Sequence, residues 1–218
     1  MKNLFALLVA TVMVFATSQL MAQKVLLGPS LVVKGGVNAG NIPEGQKTAF
    51  NFHGGPDFSA NILYLFNKDM NIGIMGDIGY STYSYRMRPE SESIANDDNT
   101  SVIKPSYVVL APSFFMGGFT IGVALGFPSS YSVSNVSGKI KSDLPTDNLK
   151  SPMIELRIGG MIPLYDFVGG RISIIPQVGY MVSGMVKEVA GFDSTYDPKI
   201  ISGGLGVSYH FNLTNLLQ

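Results

Sequence analysis

Apolar and polar residues alternate with a period of two along most of this chain, and turn-forming residues separate the alternating stretches. That period belongs to strands, because successive side chains of a strand point to opposite faces. In residues 199–211, Ile201, Leu205, Val207, Tyr209 and Phe211 share one face with Gly203. Ser202, Gly204, Gly206, Ser208 and His210 share the other. The pattern recurs in residues 27–38, 57–66, 72–86, 119–127, 153–164 and 171–182. Residues 106–116 are apolar on both faces, so their facing stays open.

These eight segments are each long enough to cross a bilayer at a tilt, for which about 9–11 residues suffice. Their connections alternate in length. The links at 67–69, 117–118 and 165–170 are short; those at 39–56, 87–105, 128–152 and 183–198 are long and polar. Short turns at one end and long loops at the other is the layout of an outer-membrane barrel. The expected fold is therefore all-β: a closed antiparallel transmembrane barrel of about eight strands, with short periplasmic turns and long extracellular loops. A soluble sandwich or lipocalin-like barrel also alternates, but it turns its apolar face inward. Faces rich in Gly, Ser and Ala suit a crowded lumen better than a wetted surface. Pro112 and Pro176 fall inside proposed strands, where each removes a ladder bond. They are expected at bulges or strand ends, and regular mid-strand pairing of both would count against the register.

The segment ahead of the first strand reads as a targeting signal. Lys2 supplies a positive n-region and Leu4 to Ala16 a 13-residue apolar stretch, too short to span a bilayer as a helix. Cleavage is expected after Ala22, with Ser18 as the alternative. Residues 1–22 are then a removed signal peptide and 23–218 the barrel domain. No run of about 18 apolar residues follows, so a crossing by helix is excluded and only a closed barrel satisfies the backbone in lipid.

Composition agrees with this setting. Charged residues are 14% of the chain, against about a quarter in ordinary proteins. Lys+Arg and Asp+Glu are equal at 15 each, which removes the basic excess that nucleic-acid binding needs. The chain has no Cys, so disulfides, zinc–thiolate sites and thiol nucleophiles are excluded.

Several residue groups resemble one family. They are Ala22-Gln23 at the end of the signal, the run Ala111 to Gly126 (APSFFMGGFTIGVALG), the segment Ile154 to Tyr180, and a last strand ending on Tyr209 and Phe211. Together they resemble the small outer-membrane β-barrel domain family, of the OmpA/OmpX type. The resemblance implies an eight-stranded barrel placed by the barrel-insertion machinery, which reads a C-terminal aromatic strand; Tyr209 and Phe211 would carry that signal. Seven residues follow Phe211, a departure from the strict pattern. The resemblance gives a location, the bacterial outer membrane, and little mechanism. Lipid and lipopolysaccharide are the expected neighbours of a monomer.

Candidate chemistry lies on the inward parity: Lys34, Asp77, Glu155, Arg157, Arg171 and His210, with Gln177. An eight-stranded barrel is only wide enough to be filled by side chains, and buried charges must pair. Asp77 and Glu155 are therefore expected to pair with some of Lys34, Arg157 and Arg171 and to plug the lumen. A structural or surface-interaction protein follows. A narrow channel or transporter for small or apolar solutes is the alternative. A lipid-modifying enzyme is the second alternative, since Ser208 and His210 share a face. His53 is the other histidine. Glu90, Glu92, Asp97 and Asp98 cluster in one loop, but their spacing matches no calcium loop. No cofactor motif is present.

Overall fold

A computed structural model describes residues 24–52, 56–67, 71–187 and 196–213. The proposed signal, its cleavage point and His53 lie outside the described residues. Eight long strands close on themselves: β1 (Lys24–Asn38), β2 (Asp57–Asn67), β3 (Ile72–Thr82), β4 (Ser101–Met116), β5 (Phe119–Ser134), β6 (Met153–Gly160, continued by Ile162–Phe167), β7 (Gly170–Met181) and β8 (Ile200–Asn212). Each pairs antiparallel with the next, and β8 returns to β1 with Ser30 opposite Ser208 and Val37 opposite Ile201. Closure leaves no edge within the ring, which is the condition for strands to stand in lipid.

Facing follows the sequence parity. Val33, Phe58, Ile78, Ile121, Ile158, Val178 and Leu205 are exposed on the outside, while Lys34, Ser81, Thr120, Glu155, Ser173 and Ser208 are buried inside. A soluble barrel would show the reverse. The segment left open in the sequence is resolved by its neighbours. Tyr107, Val109, Ala111 and Phe115 turn inward, and Val108, Phe114 and Met116 turn outward. The outer apolar belt ends at the short-turn side in aromatics, with Tyr165 stacked on Phe167 at 6.2 Å, Phe167 on Tyr209 at 5.5 Å, and Tyr209 edge to face with Phe211 at 4.5 Å. Such a girdle marks a membrane interface.

The turn between β4 and β5 is Gly117-Gly118, both at positive φ, a conformation that glycine adopts without a Cβ clash. At the other end the strands outrun the sequence expectation. β4 begins at Ser101 and β5 continues to Ser134, and the wall extends further through Gln46–Ala49, Tyr85–Pro89 and Lys141–Asp143. Arg86, Lys104 and Ser132 stand outward there and Tyr85, Ile103 and Tyr131 inward, so the alternation changes its polar face although the ladder continues.

Neither internal proline marks a bulge or a strand end. Pro112 sits opposite Gly76 and Pro176 opposite Leu205, both in regular register. Each interrupts the ladder on its other side alone. β4–β5 pairing skips Ala111 and Pro112, and β6–β7 pairing skips the stretch between Gly159↔Gln177 and Ile162↔Ile174. A strand residue directs its N–H to one neighbour only, so a proline costs one bond and the register on both sides survives. The actual irregularities lie at Leu65/Asn67, Ser106/Tyr107 and Pro163/Tyr165.

Candidate functional site

The lumen has three layers, and the middle one is ionic. Lys34 Nζ on β1 lies 2.6 Å from Asp57 Oδ2 at the start of β2. Ser81 Oγ donates to the same oxygen at 2.7 Å, and the Thr82 amide donates to Asp57 Oδ1 at 3.0 Å. The ammonium also stands 3.8 Å over the Tyr83 ring. The Tyr83 hydroxyl donates to Glu155 Oε2 at 2.6 Å, and Arg157 Nε donates to that oxygen at 2.6 Å. Ser202 Oγ donates to the remaining carboxylate oxygen at 3.2 Å. One connected network thus crosses the barrel from β1 to β6 and β8. Gly179 makes room for it, since a Cβ there would collide with the Glu155 carboxylate.

Two of the sequence-derived charges meet as a pair, Glu155 with Arg157. The others go elsewhere. The acid beside Lys34 is Asp57 and not Asp77, because Val32 is the rung opposite Asp57 and Lys34 is the next inward residue. Asp77 lies two strands from β1, opposite Asn61, whose amide bonds to it; it forms no ion pair among the described residues. Arg171 leaves the lumen network for the rim. It binds Asp166, its own hairpin partner, through Nε at 2.6 Å and Nη2 at 3.2 Å. Asp57, Asn61, Asp77, Arg157 and Gln177 line a cavity of about 60 Å³, room for a few waters.

His210 is buried toward the short-turn end, and neither ring nitrogen has a partner among the described residues. Its direct cross-strand neighbour is Arg171, a cation, so no carboxylate orients the ring as a hydrolytic triad needs. Ser208 Oγ is likewise buried and unbonded. Among the described residues no group of three His, Asp or Glu side chains is arranged to hold a metal ion.

The ionic layer lies between two apolar ones. At the long-loop end Tyr83, Tyr85, Tyr107, Tyr131, Met153 and Met181 pack with Leu149 and Met185 from the loops. Tyr83 and Tyr107 meet edge to face at 5.7 Å, and the Tyr85 hydroxyl bonds to that of Tyr196 at 2.5 Å. At the short-turn end Leu26, Leu63, Leu65, Phe115 and Met161 form the second layer. Sequence reasoning missed both. Their signal was parity: Met153 and Met181 stand on the lumen face of their strands with Glu155 and Gln177, and Leu26 and Leu63 stand with Ser30 and Asn61.

No protein-family model matches this chain, and no curated protein does. Among solved structures, Ail of Yersinia pestis shares 17% identity over 86% of this chain and 97% of its own, with a TM-score of 0.38. Ail in complex with the heparin analogue sucrose octasulfate shares 15% over 84% and 99%, at 0.36. The outer membrane protein OprG from Pseudomonas aeruginosa shares 10% over 88% and 96%, at 0.37. The eight-strand closure and its facing stand on the strand register and the burial of this chain itself, and these proteins are what it is similar to.

Proposed function

We propose that this chain is a monomeric bacterial outer-membrane protein of structural or surface-interaction type, whose work is done by its long-loop end and not by passage through its lumen. The observation that carries this is the pair of apolar layers across the lumen. Water and ions crossing the barrel would have to pass Leu63, Phe115 and Met161 at one end and Tyr107, Met153 and Met181 at the other. An ion shedding its water in such a layer faces a prohibitive cost. The role is non-enzymatic: Ser208 and His210 are enclosed by the wall, away from lipid acyl chains and headgroups. Export runs through a signal peptide cleaved at Ala22, and the barrel-insertion machinery recognises Tyr209 and Phe211 in β8. Lipid and lipopolysaccharide surround the folded barrel.

Two assays test the reading. The mature protein should fractionate with outer membrane, and proteoliposomes containing it should not swell in small sugars or amino acids. Recovery as a soluble monomer without detergent would overturn the location. Swelling at the rate of a known porin would overturn the closed lumen and favour the channel alternative.

A further inference from the structure

The outward face of the wall changes character where the apolar belt ends at the long loops. The Tyr80 hydroxyl bonds to Ser106 and Ser130, and Thr82 Oγ1 and Ser106 Oγ are 3.0 Å apart. Two aromatics stand near that level, Phe50 and Phe52, which are 51% and 67% exposed with ring centroids 5.1 Å apart. Phe52 lies opposite Gly35, between the outward Val33 and Val37.

Above this ring the outward positions carry cations. Tyr85, Ile103 and Tyr131 are buried on the lumen side, so their sequence neighbours Arg86, Lys104 and Ser132 face out. Arg88 shares the face of Arg86, and Lys47 is the rung opposite Arg88. Lys47, Arg86, Arg88 and Lys104 thus lie along one outward strip over three adjacent strands. None of the four forms an ion pair among the described residues. Lys47 donates to the Glu90 carbonyl at 2.7 Å, and Arg86 Nε donates to Asn51 Oδ1 at 3.0 Å. Arg88 Nε is buried with no partner. The carboxylates nearest in sequence, Glu44 and Glu90, lie past the last rung of this strand pair, Gln46 opposite Pro89. Further round the wall Lys141 is already paired with Asp143 at 2.9 Å.

We infer that Lys47, Arg86, Arg88 and Lys104 form a binding site for the phosphates of a phosphorylated glycolipid in the outer leaflet, with Phe50 and Phe52 at the acyl boundary below. Unpaired cations just beyond an apolar belt meet lipid phosphate at that height, and guanidinium groups bind phosphate through two parallel hydrogen bonds. The inference rests on the outer-membrane reading, which puts the long loops outside.

The test uses the refolded chain in nanodiscs and native mass spectrometry of retained lipid. The probes are bisphosphorylated lipid A, the same lipid with both phosphates removed, and inorganic phosphate alone. The unaltered protein should retain the phosphorylated lipid and release the dephosphorylated one. The variant Lys47→Gln, Arg86→Gln, Arg88→Gln, Lys104→Gln should bind the phosphorylated lipid about a thousandfold more weakly, as the loss of four cations implies. Lys139→Gln with Lys187→Gln, both on exposed loops, should change nothing. Equal retention of both lipids, or equal binding by the fourfold variant, would overturn the inference. Equal binding of inorganic phosphate would also overturn it, assigning the strip to a soluble anion. Heat-modifiable migration and outer-membrane fractionation of the fourfold variant separate this failure from failure of the outer-membrane reading.

Discussion

The ionic layer of the lumen and the apolar layers on either side of it are built from successive inward residues of the same strands, yet they do different work. On β6, Met153 belongs to the long-loop layer, Glu155 and Arg157 to the ionic one, and Met161 to the short-turn layer. Taking two charges out of water costs several kcal/mol per ion, and their attraction roughly offsets it. The apolar layers gain by burial and dispersion without that cost. If the lumen is closed as proposed, closure resides in the Tyr, Met and Leu layers. The charges of the ionic layer are tolerated because Asp57 and Glu155 each have a cation and further donors, whereas Asp77 has the Asn61 amide. On the proposed function the salt bridges span the lumen and the apolar layers seal it.

The sharpest way to break this comparison is to unbalance the ionic layer. Glu155→Gln leaves Arg157 facing Lys34 with one carboxylate fewer, and should destabilise the barrel by about 3–5 kcal/mol in urea unfolding from lipid vesicles. Replacing Glu155 and Arg157 together by Met should cost less than the two single changes summed. A double variant as damaged as that sum would mean the pair itself holds the wall together.

Truncation inside an apolar layer comes next. Leu63→Ala removes a fully buried side chain from the short-turn layer and should cost about 2–5 kcal/mol by the same measurement. A neutral result would show that the layer is loosely filled. The outer face gives the reference: Leu205→Arg puts a charge against lipid and should cost about 2–4 kcal/mol near mid-bilayer, read as reduced folding into vesicles. Ser208→Ala, on the inward face of the same strand with its hydroxyl unbonded among the described residues, serves as its facing control.

The smallest effect lies outside the membrane. Ser137, through its hydroxyl and its amide, bonds to the exposed Asp97 and holds that carboxyl below the usual carboxylate range. A depressed acid of this kind contributes above its unfolded value, and the contribution is lost as pH falls through the folded one. The Ser137 amide resonance should therefore shift only at pH below the usual carboxylate range, while the unfolding midpoint of Asp97→Asn stays that of the parent. A change in midpoint would show an exposed loop contact carrying weight reserved here for the lumen.

Strand number, connection pattern and outward facing were legible because lipid and lumen impose opposite demands on alternate residues, as in 119–127 and 199–211. Strand ends were not. β4 and β5 run past the belt into Lys104, Ser130 and Ser132, where water lies outside and the grease moves to the inward Ile103 and Tyr131, so the alternation that marks a lipid-facing strand is reversed. The charged inward positions were legible as Lys34, Glu155 and Arg157, but their partners were not, because pairing depends on register between strands. Asp57 reaches Lys34 across one rung and Asp77 is too far round the ring. The sealing layers escaped notice because an inward Met or Tyr carries no sign of the residues it meets across the barrel.

Closure of the lumen is tested most directly by planar-bilayer recording of the unaltered protein. The layered lumen predicts no steady single-channel current at any holding potential the membrane withstands. Large, steady currents from correctly folded, heat-modifiable protein would contradict it.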